Sequence, residues 1–322
     1  MTEFLKSATA LVSCASLDSV FACCIAKRYA KKHYGRDLPL LSHQDALLEP
    51  SLDRPVLLGV QSRRLPSLLK HCKEALLVTC DPDAIRKLLD SKLLESKLLE
   101  SKQDSKVSVL MRPEKCAARL TWELLHEEPA PWFMDLLEDQ HLCRNKLKRS
   151  RSFWAYVHSR GLVSEEGYDR LMAMDEAEIK QLLRIGRVAR RTFDLQVRQA
   201  VNEAWRGRHV DNYPVLLSIC DPLERFDVAE ALANTLELEL AAERSLEHDL
   251  KLDSKDQSSK FESRGMGVAA RYDPKADEWQ LMCWSCGGLD LALVFGDGVY
   301  HSKFTGVTLK GADALRQLFT FE

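Results

Sequence analysis

The sequence has no apolar run that approaches the roughly 20 residues of a membrane-spanning helix, so we expect no membrane partner. An excess of one charge is also missing, since the formal net charge is −2 and the isoelectric point is about 6.5. No global basic field therefore points to nucleic acid, although a local basic patch stays open.

The N-terminal segment contains Glu3 but no arginine, and no basic stretch precedes an apolar core there. This argues against a secretory signal or a presequence. We expect an intracellular protein, cytoplasmic rather than organellar, with an organelle left open.

Cysteine is plentiful, with ten residues, but it occurs in no pattern that would hold zinc. The single CxxC, formed by Cys283 and Cys286, supplies two ligands, and a tetrahedral site needs four. Most of the other cysteines lie in apolar stretches, where cysteine packs as a small apolar residue. We therefore expect reduced, structural cysteines.

The stretch from Leu11 to Gly35 organises the first half of the chain. An apolar run predicts a buried strand, small residues from Ser13 onward predict a turn, and Leu17 to Tyr34 repeats apolar residues at helical spacing. Gly35 follows as the stop, behind basic residues that suit the end of a helix. Asp18 stands just past the turn, at the carboxyl end of the strand, where open α/β sheets bind ligands.

Apolar runs elsewhere predict the remaining strands. In the first half they cover residues 55–60, 74–79 and 106–111. Strands that alternate with helices at this spacing predict a parallel sheet, and residues 39–53 are expected to be a polar connection. For the second half we predict a long charged helix over 165–205, a turn over 207–212, a strand over 214–219, a helix over 221–236 and strands over 265–272 and 279–284.

The length of 322 residues suits two domains. We predict an α/β protein with a parallel-sheet domain over 1–165 that has helices on both faces, a linker helix over 166–206, and a smaller α/β domain over 207–322. Residues 91–102 repeat a five-residue unit, SKLLE, whose period does not match a helix. We expect a surface loop there, whose order the sequence leaves open, with a docking segment for a partner as the functional alternative.

The strand, turn and helix around Asp18 resemble the first motif of the DHH (Asp-His-His) phosphoesterase superfamily. That motif has a histidine after the strand, a second ligand position in the turn, and an Asp-Gly pair at the start of the helix. In this sequence those positions hold Ser13, Ser16 and the pair Asp18-Ser19. The shape of the motif is present, and much of its chemistry is missing.

Later motifs occur in the family's order, so the resemblance to its two-domain oligoribonuclease and exopolyphosphatase-like members covers nearly the whole chain. The second motif is a strand that ends in an aspartate, and here that position holds Gly59. The Asp-His-His triplet corresponds to Cys80-Asp81-Pro82, and the Glu-Asp pair of the fourth motif is kept as Glu138-Asp139. In the C-terminal domain Trp284 takes the place of the family's arginine.

For an active member the resemblance implies two divalent metals, because one activates water and both hold the phosphate oxygens. The positions of the first ion's ligands hold Ser13, Ser16 and Gly59. Hydroxyls are poor ligands and glycine offers none, so we expect that site to be empty. The positions left for a second ion hold Asp18, Asp81 and Asp139. The expected cofactor is therefore none or a single Mg²⁺ or Mn²⁺ ion. The alternative is that Asp18 and Asp81 are helix caps and Asp139 is a surface charge.

A glycine-rich loop in the C-terminal domain is implied to bind substrate. The candidate residues are Gly296, Gly298, His301 and Lys303, at a spacing that departs from the family's.

Three functional hypotheses follow. The leading one is a catalytically degenerate protein with the phosphoesterase fold, kept as a structural or interaction subunit with a protein partner or in a larger assembly; whether it is an enzyme is left open. The second is a binder of nucleotide or short RNA or DNA, which would use the aspartates with His301 and Lys303, or the basic residues within 146–151 and 184–191. The third is a residual metal-dependent phosphodiesterase whose lost ligands are replaced by His33, His43, His71 or His141.

Overall fold

The computed structural model describes residues 1–14, 16–49, 52–60, 65–70, 72–82, 88, 107–220, 225–250, 264–274, 277–286, 289, 291–295, 304–311 and 313–321. The chain divides into two compact units, Met1–Arg190 and Arg191–Glu322. Each unit has its own sheet and its own hydrophobic cores.

A five-stranded parallel sheet forms the centre of the first unit. Its strands are β1 (Ala10–Ser13), β2 (Leu40–Ser42), β3 (Pro55–Leu58), β4 (Ala75–Thr79) and β5 (Val107–Met111). They lie in the order β2-β1-β3-β4-β5, and every neighbouring pair is parallel. All carboxyl ends therefore meet at one edge, with Ser13 opposite Ser42 on one side and Leu58 on the other. The predicted α/β class and parallel sheet are confirmed.

Helices pack on both faces of this sheet. They are α1 (Thr2–Leu5), α2 (Leu17–Tyr34), α3 (His43–Leu48), α4 (Leu65–Leu69), α5 (Ala117–Leu125), α6 (Met134–His141), α7 (Ser150–Ser159), α8 (Glu165–Ala173) and α9 (Glu176–Asn202), which continues into the second unit. Strand β3 serves the cores on both faces, since Val56 and Leu58 belong to one and Leu57 to the other. Successive side chains of a strand point to opposite faces, so a continuous apolar run is what a fully covered parallel strand requires.

Helix α2 begins and ends at the predicted residues because both signals are local. The Ser16 hydroxyl accepts a hydrogen bond from the Ser19 amide at 3.2 Å and caps the first turn. Gly35 has φ +67°, a left-handed conformation that suits glycine, and its amide donates to the Lys31 carbonyl at 3.1 Å.

The second unit is built on a six-stranded mixed sheet. Its strands are β6 (Trp205–His209), β7 (Pro214–Ile219), β8 (Gly265–Asp273), β9 (Glu278–Cys286), β10 (Phe304–Lys310) and β11 (Phe319–Phe321). Its helices are α10 (Arg225–Leu250), α11 (Leu291–Phe295) and α12 (Ala314–Leu318). The strand order is β10-β9-β8-β7-β6-β11, and only the β7–β8 pair is parallel among the strands described.

Several predicted elements differ from the structure. Residues 39–53 contain β2 and α3, and β2, at three residues, is too short to show strand alternation. Helix α7 begins inside the basic run and was not predicted. Residues 207–212 are not a turn throughout, because β6 extends to His209 and pairs with β7 and β11.

The long helix predicted over 165–205 is in fact two helices. Asp175 Oδ1 accepts from the Glu178 amide at 2.8 Å, and Glu178 Oε2 accepts from the Asp175 amide at 3.0 Å. This reciprocal cap starts α9 and separates it from α8.

The repeat at 91–102 lies outside the described residues, as do residues 251–263. No helix in the described part of the chain has the length and apolar character needed to cross a membrane.

Candidate functional site

Asp18 lies in the first turn of α2, at the carboxyl edge of the first sheet, and its side chain is buried. One carboxylate oxygen accepts from the Ala117 amide at 2.9 Å and the other from the Ala118 amide at 2.7 Å. These amides belong to the N-terminus of α5, where unpaired N–H groups and the helix dipole favour a negative charge. Asp18 therefore caps a helix that is distant in the sequence, not its own.

A second carboxylate completes the same helix start. Glu138 Oε2 accepts from the Cys116 amide at 3.1 Å, immediately before α5. Its other oxygen pairs with Arg144 at 2.9 Å, and Arg119 lies 3.8 Å from Oε2. Two acidic side chains thus satisfy three successive amides at one helix N-terminus.

Asp139 is buried, which corrects its interpretation as a surface charge. One oxygen accepts from the Lys146 amide at 2.9 Å. The other accepts from the Leu147 amide at 3.2 Å and from the Ser150 hydroxyl at 2.7 Å. Its side chain therefore fixes the loop that leads from α6 into α7.

The positions implied for the first metal ion are engaged in local structure. Ser16 caps α2, and the Ser13 hydroxyl donates to the Leu41 carbonyl at 3.5 Å. Gly59 has φ +62°, and a Cβ added there would lie 3.2 Å from Ser19 Cβ and 3.3 Å from Ala117 Cβ. An acidic side chain at position 59 would thus need both a left-handed backbone and displaced neighbours. The residues described at this edge do not fit a paired-metal centre.

Asp81 is partly buried just after β4, and its amide donates to the Thr79 hydroxyl at 3.0 Å. Among the described residues, which include Asp18, Asp81 and Asp139, no three His, Cys, Asp or Glu side chains are grouped so as to hold a metal. A single ion on the three aspartates stays a prediction.

Cysteine side chains line the same edge. Burial, with the charges of Asp18 and Asp81, raises the pKa of Cys80 to about 12. Burial and the Asp18 charge also raise the pKa of Cys116 well above its usual value. The Cys14 thiol donates to the Gly59 carbonyl at 3.2 Å. Because the thiolate is the reactive form of cysteine, Cys80 and Cys116 are poor nucleophiles at neutral pH.

His141, one of the four histidines suggested as substitute ligands, lies at this edge. Its Nε2 lies 3.4 Å from Asp18 Oδ2 and 3.6 Å from Cys80 Sγ. A Cys-His-carboxylate relay uses the two ring nitrogens separately, whereas here one nitrogen meets both partners. The arrangement therefore lacks the geometry of a nucleophilic triad.

The other histidines suggested as substitute ligands lie elsewhere or outside the described residues. His33 stacks on Tyr29 near the end of α2, with ring centroids 4.2 Å apart. His43 is the first residue of α3, and His71 lies outside the described residues. Of the four, His141 is the one that the structure brings to Asp18. The substrate-loop candidates Gly296, Gly298, His301 and Lys303 also lie outside the described residues.

The loop after α6 presents positive charge from a constrained backbone. Cys143 and Asn145 have φ +51° and +53°, in the left-handed region. Lys146, Lys148 and Arg149 are exposed and have no ion-pair partner among the described residues. Because Asp139 holds the loop's amides, these three side chains project from a fixed support.

Comparison with known proteins gives the fold. No protein-family model and no curated protein match the chain. Among solved structures, a DHH domain described as coming from a member of a family of ribosomal proteins matches at a TM-score of 0.50 and 11% identity, over 98% of this chain and 85% of that one. Manganese-bound RecJ from Thermus thermophilus matches at 0.49 and 12% identity, over 98% of this chain. Another manganese-bound exonuclease RecJ matches at 0.43 and 11% identity, over 95% of this chain and 86% of its own.

The first of these likenesses shows that the chain has the fold of a DHH domain. The fold implied by the degenerate motifs is thereby confirmed. This chain spans about half, 52%, of the Thermus RecJ. At 11% identity the likeness shows the fold and carries no activity with it.

Proposed function

We propose that this protein is a non-hydrolysing relative of the DHH phosphoesterases, which serves as a structural or interaction subunit. The observation that supports this is the bonding of Asp18, whose two oxygens both accept amides of α5. A metal ion would have to compete with those bonds, and a buried amide left unpaired costs about 1–3 kcal/mol. Gly59, with no side chain and little room for one, supports the same proposal.

The test is hydrolysis by the full chain of a short oligonucleotide with Mn²⁺, Mg²⁺ or Zn²⁺. Zinc is included because Cys80 and His141 are softer ligands than carboxylates. We expect no turnover above that of buffer with metal. Turnover that depends on metal, that Asp18→Asn abolishes and that Asp53→Asn leaves unchanged, would refute the proposal. Asp53 is a matched control because it is a surface carboxylate paired with Lys73.

Binding of a nucleotide or short nucleic acid, without hydrolysis, is the second candidate. The specific observation in its favour is the cationic loop of Lys146, Lys148 and Arg149, which Asp139 supports. Such a loop would contact phosphates, so its affinity should fall steeply with salt.

Calorimetric titration with mononucleotides and a short RNA, with and without Mg²⁺, tests this candidate. Heat that disappears in the triple variant K146Q/K148Q/R149Q, and persists in K31Q/K32Q/K70Q, would support it. The control removes the same charge from lysines that are also exposed. No heat with any of these ligands would end it.

A further inference from the structure

Helix α9 carries an exposed surface that its folding does not use. The surface, here called the arginine face, consists of Arg184, Arg187, Val188, Arg191, Leu195 and Arg198. Steps of three and four residues place them along one side of the helix. Val188 is 60% exposed and Leu195 63%, which is high for aliphatic side chains in a helix that buries another side.

The buried side of α9 fixes the direction of the arginine face. Leu182, in the part of α9 that belongs to the first unit, is buried in that unit's core. Gly186 lies so close to α7 that a Cβ would stand 2.0 Å from the Ser152 carbonyl oxygen. Helix periodicity then turns the arginine face away from these contacts.

The charge of the arginine face is uncompensated within the described part of the chain. None of its four arginines takes part in an ion pair with a described residue. Asp194 is the one acidic residue between positions 181 and 202, and it lies on the flank, partly buried and engaged elsewhere. Four positive charges are thus spread over about 20 Å of helix.

Val188 and Leu195 distinguish between two kinds of acidic ligand for the arginine face, a nucleic acid and an acidic helix. Phosphates of a nucleic acid would meet the arginines alone and leave Val188 and Leu195 in water. The two aliphatic residues are seven apart, which is the repeat at which one helix packs its seam against another. A surface with an apolar seam and basic flanks is complementary to a helix with an apolar seam and acidic flanks.

We propose that the arginine face binds an acidic amphipathic helix of a partner protein. This inference rests on the proposed role as an interaction subunit and names the chemistry of the partner. It uses no residue of the sheet edge, so the hydrolysis assay and the binding assay can fail independently.

The probe is a synthetic peptide of about three heptads with leucine at the seam positions and glutamate at the flanks. A matched peptide replaces each glutamate with glutamine, and an oligothymidylate of about 20 nucleotides is the competing ligand. Binding to the full chain is followed by fluorescence anisotropy. We expect the acidic peptide to bind at least about tenfold more tightly than its glutamine counterpart, more so at low salt.

Two variants separate charge from apolar contact. We expect the affinity for the acidic peptide to fall about tenfold or more in R184Q/R187Q/R191Q/R198Q. It should fall about fivefold in V188S/L195S. The control K31Q/K32Q/K70Q/K310Q removes four exposed charges elsewhere and should change the affinity less than about twofold. Circular dichroism should show the same melting temperature for all three, since the substituted side chains are exposed.

Three results would overturn the proposal. The first is equal affinity for the glutamate and glutamine peptides. The second is tight binding of the oligonucleotide that requires the arginines and ignores Val188 and Leu195, which would assign the face to nucleic acid. The third is self-association of the chain, seen by sedimentation and lost in V188S/L195S, which would assign it to a second copy.

Discussion

Two groups of charged side chains in this molecule are in opposite situations. At the carboxyl edge of the first sheet, Asp18 and Asp139 are buried and every oxygen accepts a hydrogen bond from the chain itself. On α9, the arginines of the arginine face are exposed and have no ionic partner among the described residues. The first group holds helices and loops in place, whereas the charge of the second is not compensated by the described residues. The sheet edge at which open α/β sheets bind ligands and the surface that we propose for a partner are therefore different parts of the chain.

The largest effect expected from this comparison is on Asp18. Asp18→Ala leaves two buried amides of α5 without an acceptor, which should lower the free energy of unfolding by about 4 kcal/mol. Asp81→Ala, at a partly exposed carboxylate, should cost less than about 1 kcal/mol. Urea unfolding measures both. If both variants lowered the free energy of unfolding equally, Asp18 would have no greater structural role than Asp81.

A partly buried histidine offers the next largest effect. Burial lowers the pKa of His158, in α7, to about 4. The unfolded chain takes up the proton near pH 6.5, so between pH 6.5 and 4 the unfolded state binds more protons, and the free energy of unfolding falls as the pH falls. The full loss from this group is about 3 kcal/mol.

His158→Gln should flatten most of that slope in urea unfolding measured across the same pH range. Part of the slope should remain, because burial also lowers the pKa values of His126 and His209. A slope that is unchanged in the variant would contradict the assignment to His158.

The smallest expected change in stability concerns the space around Gly59. Gly59→Ala should destabilise by about 2 kcal/mol, because it adds crowding against Ser19 and Ala117 to the cost of a left-handed backbone. Gly35→Ala is the matched control, since its φ is similar at +67° but no atom lies within 4 Å of the added Cβ. It should cost about 1 kcal/mol. If the two substitutions lower the free energy of unfolding by the same amount, crowding at position 59 is not what excludes a side chain there.

Local signals account for what the sequence predicted well. Ser16 and Gly35 mark the ends of α2 by their own chemistry, so its boundaries were predicted to the residue. The three-residue β2 has no comparable signal and depends on pairing with β1. The break before α9 was readable as an Asp-x-x-Glu cap at Asp175 and Glu178, but the charged periodicity on both sides concealed it.

The candidate site was less predictable for a different reason. The sequence correctly placed Asp18 at the start of α2, but the hydrogen bonds of Asp18 and Asp139 depend on residues that the fold brings to them. The partners of Asp18 lie at positions 117 and 118, and no local pattern relates those amides to it. Likewise His141 meets Asp18 only because α6 returns to the edge of the sheet. Residue identity predicted the positions, whereas tertiary contacts determine what each side chain does.

The close fit around Gly59 also limits how this chain could change over evolutionary time. The Ser19 hydroxyl donates to the Leu58 carbonyl and accepts from the Cys14 amide at 2.8 Å, so it joins β1 and β3 beside the glycine. An aspartate introduced at 59 would push against Ser19 before it could reach any ion. An aspartate at position 59 would therefore need accompanying changes at Ser19 and Ala117, and a single substitution does not supply a ligand there.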